Sequence, residues 1–398
     1  MLRNKVVTGL SVAFEKTIVK IAPFEELIEN YPHAEVTTLR EHSLLMPGLI
    51  NAHVHIEFSG NKTELSYGDF LNWLYSVIEN REELINGCGI ECMKKAIDAM
   101  LESGITTFGA VSSHAMDLEA CVNAKQNVVF FNELIGSQAA MADALFSDFV
   151  ARLDASKAVQ REGFYPAVAI HSPYSVHPVL IKKAVEIVKN EKLKLTAHFM
   201  ESKAEREWLD SSTGDFAAFF EKLLQQKHNI SDAKEFLQHF EEIPTLLTHA
   251  VELNEEELDA IKKAGHTIIH CPISNRLLGN KTLNIKRLNE NAVPWIVATD
   301  GLSSNYGLDL FEEMKISLFM HADAPLAQFA QSLLEGVTVN AAKALGLNTG
   351  VIEEGKNADM IIVDLDKEPN EELALHLLLH RYNISKVYIN GTLEKGNR

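Results

Sequence analysis

The chain carries only four cysteines in 398 residues, Cys88, Cys92, Cys121 and Cys271, too few for a disulfide scaffold and spaced like no zinc knuckle. Cys88 and Cys92 stand at helical spacing and could share a metal, but with no second pair nearby they read as small buried hydrophobes. Long apolar runs are missing as well. No stretch approaches ~20 uninterrupted apolar residues, so nothing predicts a membrane span. The opening Met1-Leu2-Arg3-Asn4-Lys5 leads into alternating residues broken by Glu15 and Lys16, without the apolar core or small-residue cleavage site of a secretory leader. Cytoplasmic residence is the resulting expectation. Basic residues are in deficit, with 37 Lys and Arg against 55 Asp and Glu, and a net charge of −18 speaks against a nucleic-acid partner, which needs clustered cations. A small metabolite is the expected partner.

What is present is an ordinary globular composition, 46% hydrophobic and 23% charged, with no repeat and no low-complexity tract. Eight short apolar runs are separated by helix-length amphipathic stretches: Leu49–Val54, Ile105–Val111, Asn127–Phe131, Ala167–Ile170, Leu193–Ala197, Thr245–Leu247, Thr267–Ile269 and Trp295–Ala298. That alternation predicts an α/β fold with a parallel sheet, and eight is the number that closes a TIM-type (β/α)8 barrel. Both ends of the chain alternate as strands do: Lys5–Thr8, Thr17–Lys20 and Val36–Leu39 at one end, Met360–Val363 and Lys386–Ile389 at the other, the last followed by the turn signal Asn390-Gly391. They can pair into one small β-domain. The stretch Ser59–Gly89, with Tyr67, Phe70, Trp73 and Tyr75, is long for a βα loop and could cover a site.

In such a barrel, chemistry gathers at the C-terminal ends of the strands. The runs end in His53-Val54-His55, His171, His198 with Glu201 three later, His249, His270 and Asp300, a concentration that sixteen scattered histidines would seldom produce. His53 and His55, two apart on a strand, share a face. Alone they read as ordinary histidines; with His198 and Asp300 they make three imidazoles and a carboxylate, a mononuclear site for zinc or ferrous iron with a position open for water. Asp300 would serve as ligand and as base toward that water, its bland alternative being a helix cap. His249 could orient or help deprotonate the same water, or else be a core histidine. Glu201 could carry a proton to a leaving nitrogen, or else be a solvated loop charge. A second metal needs an anionic bridge ending the fourth run, where Ala169-Ile170-His171-Ser172-Pro173 offers no lysine. One metal ion is expected, and His171 is free to touch substrate.

The segments Met46–His55, Thr196–Glu201, His270–Asn275, Ala298–Gly301 and Gly350–Asp359 resemble the chlorohydrolase and nucleoside-deaminase branch of the amidohydrolases, in order and over nearly the whole chain. The resemblance implies a barrel over 47–345 and a composite β-sandwich from 1–46 and 346–398. It also implies metal ligation by His53, His55, His198 and Asp300, with Glu201 and His249 in proton transfer. Within that branch the sequence is most similar to the aminodeoxyfutalosine deaminases of menaquinone biosynthesis, and next to the S-adenosylhomocysteine and methylthioadenosine deaminases. The latter imply a ribose-binding glutamate at Glu82, or at its neighbour Glu83. No counterpart is found to the arginines that hold an amino-acid carboxylate, which leaves Arg276 and His114 as contacts for some other acidic group or as surface residues. The expected reaction is hydrolytic deamination of 6-amino-6-deoxyfutalosine to futalosine and ammonia. The alternatives are another adenosine derivative, a guanine- or triazine-like ring and, from a different class, a barrel that binds a metal or ligand without turnover. Subunit pairing is left open.

Overall fold

The computed structural model describes residues 6–61, 65–80, 87, 89–380 and 382–396. Its centre is a sheet of eight parallel strands in chain order: Leu49–Val54, Ile105–Ser112, Asn127–Leu134, Phe164–Ile170, Leu195–Phe199, Leu246–His249, Thr267–His270 and Trp295–Val297, numbered here as barrel strands 1 to 8. Strand 8 meets strand 1 through the Asp300 N–H, which donates to the His53 carbonyl at 3.1 Å. Asn51 reinforces that seam, its side chain donating to Thr299 Oγ1 at 2.7 Å and accepting from the Thr299 N–H at 3.1 Å. The sheet thereby curls into the expected TIM-type barrel.

Each strand is apolar on both faces because each face is covered. Ile50, Val129, Phe131, Ala169, Ile269 and Ile296 fill the inside, while Val54, Phe108, Phe130, Ile170 and Ile268 meet the surrounding helices. Among those helices are Ile90–Glu102, Pro178–Glu191, Glu255–Ala264 and Leu310–Met320. Glu255–Ala264 shows how sequence sets their ends: Asn254 and Glu257 close a capping box at the start, and Gly265 takes the left-handed conformation (φ 70°) at the stop.

The two chain ends supply a second, smaller core. Ser43–Pro47 joins Met360–Asp364, Asn383–Ile389 and Thr392–Lys395 in a four-stranded antiparallel sheet, and Ser11–Phe14 pairs with Ile18–Ala22. Ile18, Ile352, Met360, Ile362 and Tyr388 are buried together, with Phe14 edge-on to Tyr388 at 5.3 Å. Asn390 and Gly391, both at positive φ, turn the final hairpin.

Three expectations need correction. Neither Val6–Thr8 nor Val36–Leu39 forms a strand: Val6 and Val36 are 39% and 51% exposed, and alternation without a partner ladder or a face to bury does not make one. The paired strand is Ser43–Pro47 instead. Strand 3 runs on to Leu134, because Asn132 and Glu133 enter the polar mouth of the barrel where a purely apolar reading stops. Cys92 is disulfide-bonded rather than an inert hydrophobe, an oxidation state that spacing cannot report; Cys121 and Cys271 are free and buried, and Cys88 lies outside the described residues. Among the described residues, no helix is long and apolar enough to cross a membrane.

Candidate active site

Alternation along the strands turns the apolar interior into a polar layer at one end. Ala169 precedes His171, Thr196 precedes His198 and Ala298 precedes Asp300, each pair on one face at a spacing of two. Strand 1 changes register against strand 2 between Asn51 and Val54, so that beyond Ile50 and Ala52 it presents His53 and His55 to the same interior. Met200, His249, Ala250 and Asp300 all have positive φ, 52°, 73°, 52° and 59°. Such conformations cost non-glycine residues of the order of 1–3 kcal/mol each, and their clustering at strand ends marks a backbone held for a purpose other than stability.

The side chains converge. His55 Nε2 and His198 Nε2 are 3.4 Å apart, and the His53 ring lies edge-on to both, with centroids 5.0 and 4.9 Å away. Asp300 Oδ1 is 3.6 Å from His55 Nε2 and 3.8 Å from His53 Nε2. His198 Nδ1 lies 3.0 Å from the His171 carbonyl, which fixes the proton on that nitrogen and leaves a lone pair on Nε2. Among the described residues, His53 Nε2 is buried without a hydrogen-bond partner. Bare lone pairs facing one another are unfavourable by themselves, and they are what a cation requires; the donor set of His53, His55 and His198, with Asp300 beside it, fits a divalent metal.

Two carboxyl groups in this layer are biased in opposite directions. Burial, then the charge of Asp300 and of Glu205, pushes Glu201 well above the ordinary carboxyl range, which favours its neutral form. Against the upward push of burial, the imidazoles of His55, His53 and His249 and the Ser274 hydroxyl hold Asp300 below its usual range. Ser274 Oγ and Ser304 Oγ donate to Asp300 Oδ2 at 2.7 and 2.9 Å, and the Gly301 N–H donates to Oδ1 at 2.7 Å. His249 stands 3.4 Å from Glu201 Oε1 through Nε2, with Nδ1 2.9 Å from Asn275 Oδ1. Burial lowers His171 and His198, both to about 3, and also pushes His53 and His249 down. A carboxyl group raised in pKa and another lowered, set among buried imidazoles, are suited to moving protons to and from a substrate.

His171 lines the same layer, its Nδ1 engaged by Ser175 Oγ at 2.6 Å and its ring 5.0 Å from that of His198. Tyr174, Phe216 and Phe70 continue from it as a chain of ring contacts to the helix Phe70–Glu79, and Trp73 on that helix donates to the Ser303 carbonyl at 2.8 Å. The helix Phe70–Glu79 of the covering segment thus does lie over the mouth. Glu82 and Glu83 fall outside the described residues. Arg276 is exposed, and among the described residues its guanidinium has no partner; its neighbours Ser274 and Asn275 are the ones that touch Asp300 and His249. The His114 backbone N–H donates to Glu57, whose carboxylate also gathers the N–H groups of Ser113 and Met116. His270 does not join the layer: it faces outward, against the ring of His321 at 5.4 Å.

Sequence reasoning passed over Glu133, buried at the end of strand 3. One oxygen of Glu133 accepts from Ser113 Oγ, while the other, without a hydrogen-bond partner among the described residues, lies 3.8 Å from His198 Nδ1. The available signal was Asn132-Glu133 directly after the third apolar run. Ser274 and Asn275 lay inside the segment His270–Asn275 that carries the resemblance but were given no role, and Thr248, 3.3 Å from His53 Nδ1, carried no signal of its own, since Thr occurs in every strand.

The amidohydrolase family profile matches residues 44–393. The chain belongs to the amidohydrolase family. This amidohydrolase is 46% identical over 388 residues to an aminodeoxyfutalosine deaminase of a Nitratiruptor species, covering 97% of this chain and 95% of that one. The crystal structure of Helicobacter pylori aminofutalosine deaminase in complex with methylthio-coformycin superposes with a TM-score of 0.91 at 33% identity, covering 98% and 96% of the two chains. An adenosine deaminase from Xanthomonas campestris with bound zinc shares the fold at a TM-score of 0.80 and 22% identity, over 99% and 90%.

Proposed function

We propose that this amidohydrolase is a metal-dependent hydrolytic deaminase of an adenine nucleoside derivative, with 6-amino-6-deoxyfutalosine as substrate and futalosine and ammonia as products. The observation that carries the chemistry is the placement of the two carboxyl groups, Glu201 Oε1 3.4 Å from His249 Nε2 and Asp300 Oδ1 3.6 and 3.8 Å from His55 and His53 Nε2. The choice of substrate rests on the relative at 46% identity, whose activity carries that name.

In this reading His53, His55, His198 and Asp300 hold one divalent ion, zinc or ferrous iron, which supplies Lewis acidity and makes water a nucleophile near neutral pH. Asp300 takes a proton from the attacking water, and His249 orients that water through Nε2. Water oxygen bonds to C6 of the ring as Glu201 gives its proton to the adjacent ring nitrogen; Glu201 then takes the proton of the C6 hydroxyl and passes it to the amine, the C6–N bond breaks, ammonia leaves, and the proton held by Asp300 restores Glu201 for the next turnover. His171 and Glu201 hold the ring edge. Glu82 or Glu83 accepts from the ribose hydroxyls, and Arg276 at the rim meets the acidic group of the non-purine half. A barrel that merely stored a metal would have no use for a carboxyl group set against His249.

The test is ammonia release from the zinc- or iron-loaded protein with aminodeoxyfutalosine, adenosine, methylthioadenosine, S-adenosylhomocysteine and guanine. Aminodeoxyfutalosine should give the highest kcat/KM. A higher value with another compound replaces the substrate, and no release from any of them removes the deaminase reading.

A further inference from the structure

The connection that carries Glu201 is built differently from its counterparts in the same barrel. Two helices start with an ordinary capping box, in which the third helical residue reaches back to the N–H of the cap residue itself: Glu257 to Asn254 at 3.0 Å and Glu235 to Asp232 at 3.4 Å. The helix Lys203–Ser211 has the same sequence form, Ser202-Lys203-Ala204-Glu205, and Ser202 Oγ accepts the Glu205 N–H at 3.1 Å. Its glutamate, however, bypasses the cap residue. Glu205 Oε1 accepts the Met200 N–H at 3.0 Å, and Oε2 accepts the Glu201 N–H at 2.8 Å.

That displacement is hard to account for as helix capping. Glu205 is fully buried, and among the described residues no cation pairs with it; the adjacent Arg206 is spent on Glu257, Asp210 and the Glu252 carbonyl. Met200, between His198 and Glu201, is held at φ 52°, where a rotation would swing the Glu201 carboxyl away from His249. Both N–H groups that define this bend end on one side chain. We propose that Glu205 is a positioning residue that locks the Met200–Glu201 backbone, and through it the Glu201 carboxyl, in the geometry for proton transfer. The inference rests on the role given to Glu201 above.

The experiment is a double-mutant cycle with Glu205→Gln and Glu201→Gln on metal-loaded protein, with Glu235→Gln as the control in an ordinary capping box. Glutamine keeps the size of Glu205 but can accept only one of the two N–H groups. The expected result is a fall in kcat of about 10- to 100-fold, the scale of an ångström-level misplacement, with KM within about threefold and metal content as in the wild type. In the Glu201→Gln background, Glu205→Gln should change the residual rate by less than about threefold, whereas Glu235→Gln should leave kcat unchanged in either background. If Glu201→Gln collapses turnover while Glu205→Gln retains wild-type kcat, or if the two losses multiply, the positioning role is overturned and the role of Glu201 stands. Undiminished turnover in Glu201→Gln overturns that role itself. Should Glu205→Gln fail to fold, hydrogen exchange of the wild-type Met200 and Glu201 amides decides: protection matching strand 5 supports the lock, and exchange as fast as exposed loops overturns it.

Discussion

His198 and His270 close two strands of one barrel, both buried and both pushed toward the neutral form by burial. As histidines at the ends of apolar runs they look alike in the sequence, where the family resemblance set His198 apart as a ligand. His198 faces inward, donates through Nδ1 to a carbonyl and aims a bare Nε2 at His55. His270 faces outward, has no hydrogen-bond partner on either ring nitrogen among the described residues and rests on His321, whose own nitrogens meet the Ser317 and Leu283 carbonyls. The difference is one of parity: Thr196 and His198 lie on the inner face of their strand, while Ile268 and His270 lie on the outer face of theirs. A histidine at a strand end becomes a ligand candidate only when its alternation points it into the barrel.

That contrast can be broken by substitution. His198→Ala should have the largest effect, abolishing stoichiometric metal binding and lowering turnover by about 10³-fold or more, as expected when Lewis-acid activation is lost; metal analysis of the purified variant checks it, and retained metal with normal turnover would dissolve the distinction. Ser274→Ala sharpens it from the acid side. Removing one of the two hydroxyls on Asp300 Oδ2 should lower kcat by about tenfold, read from steady-state kinetics beside a metal determination.

A third buried histidine isolates burial from site chemistry. His266 accepts the Thr245 N–H and is lowered by burial from 6.5 to about 4, far from any candidate ligand role. Because the folded pKa lies below the unfolded one, its stabilisation is complete above pH 6.5 and is lost as pH falls from there toward 4. Thermal melts of metal-free wild type and His266→Gln across about pH 4 to 7.5 should show a shallower acid decline in the variant; parallel curves would refute the assignment. His270→Phe should do least, leaving kcat within about twofold and Tm undiminished, since it removes two buried unpaired nitrogens. A loss of activity on the scale of His198→Ala would place His270 in the site after all.

The eight apolar runs, the polar residues that end them and the helix-length gaps between were legible because burial on both faces and a spacing of two impose patterns along the chain itself. His53, His55, His198, His249, Asp300 and Glu201 could be singled out on that basis. Glu133 was missed where a strand continued past its apolar run, and Ser274, Asn275 and Glu205 were missed because hydrogen-bonding residues near helix starts look alike until their partners are known. What the sequence determined by itself was the class of fold and the residue types at the barrel mouth, since those follow from local periodicity. Only the tertiary structure decided which way each strand-end side chain points, which carboxyl group is raised in pKa and which lowered, and that Glu205 reaches back past its own cap. Those depend on register, burial and neighbours brought together from distant parts of the chain.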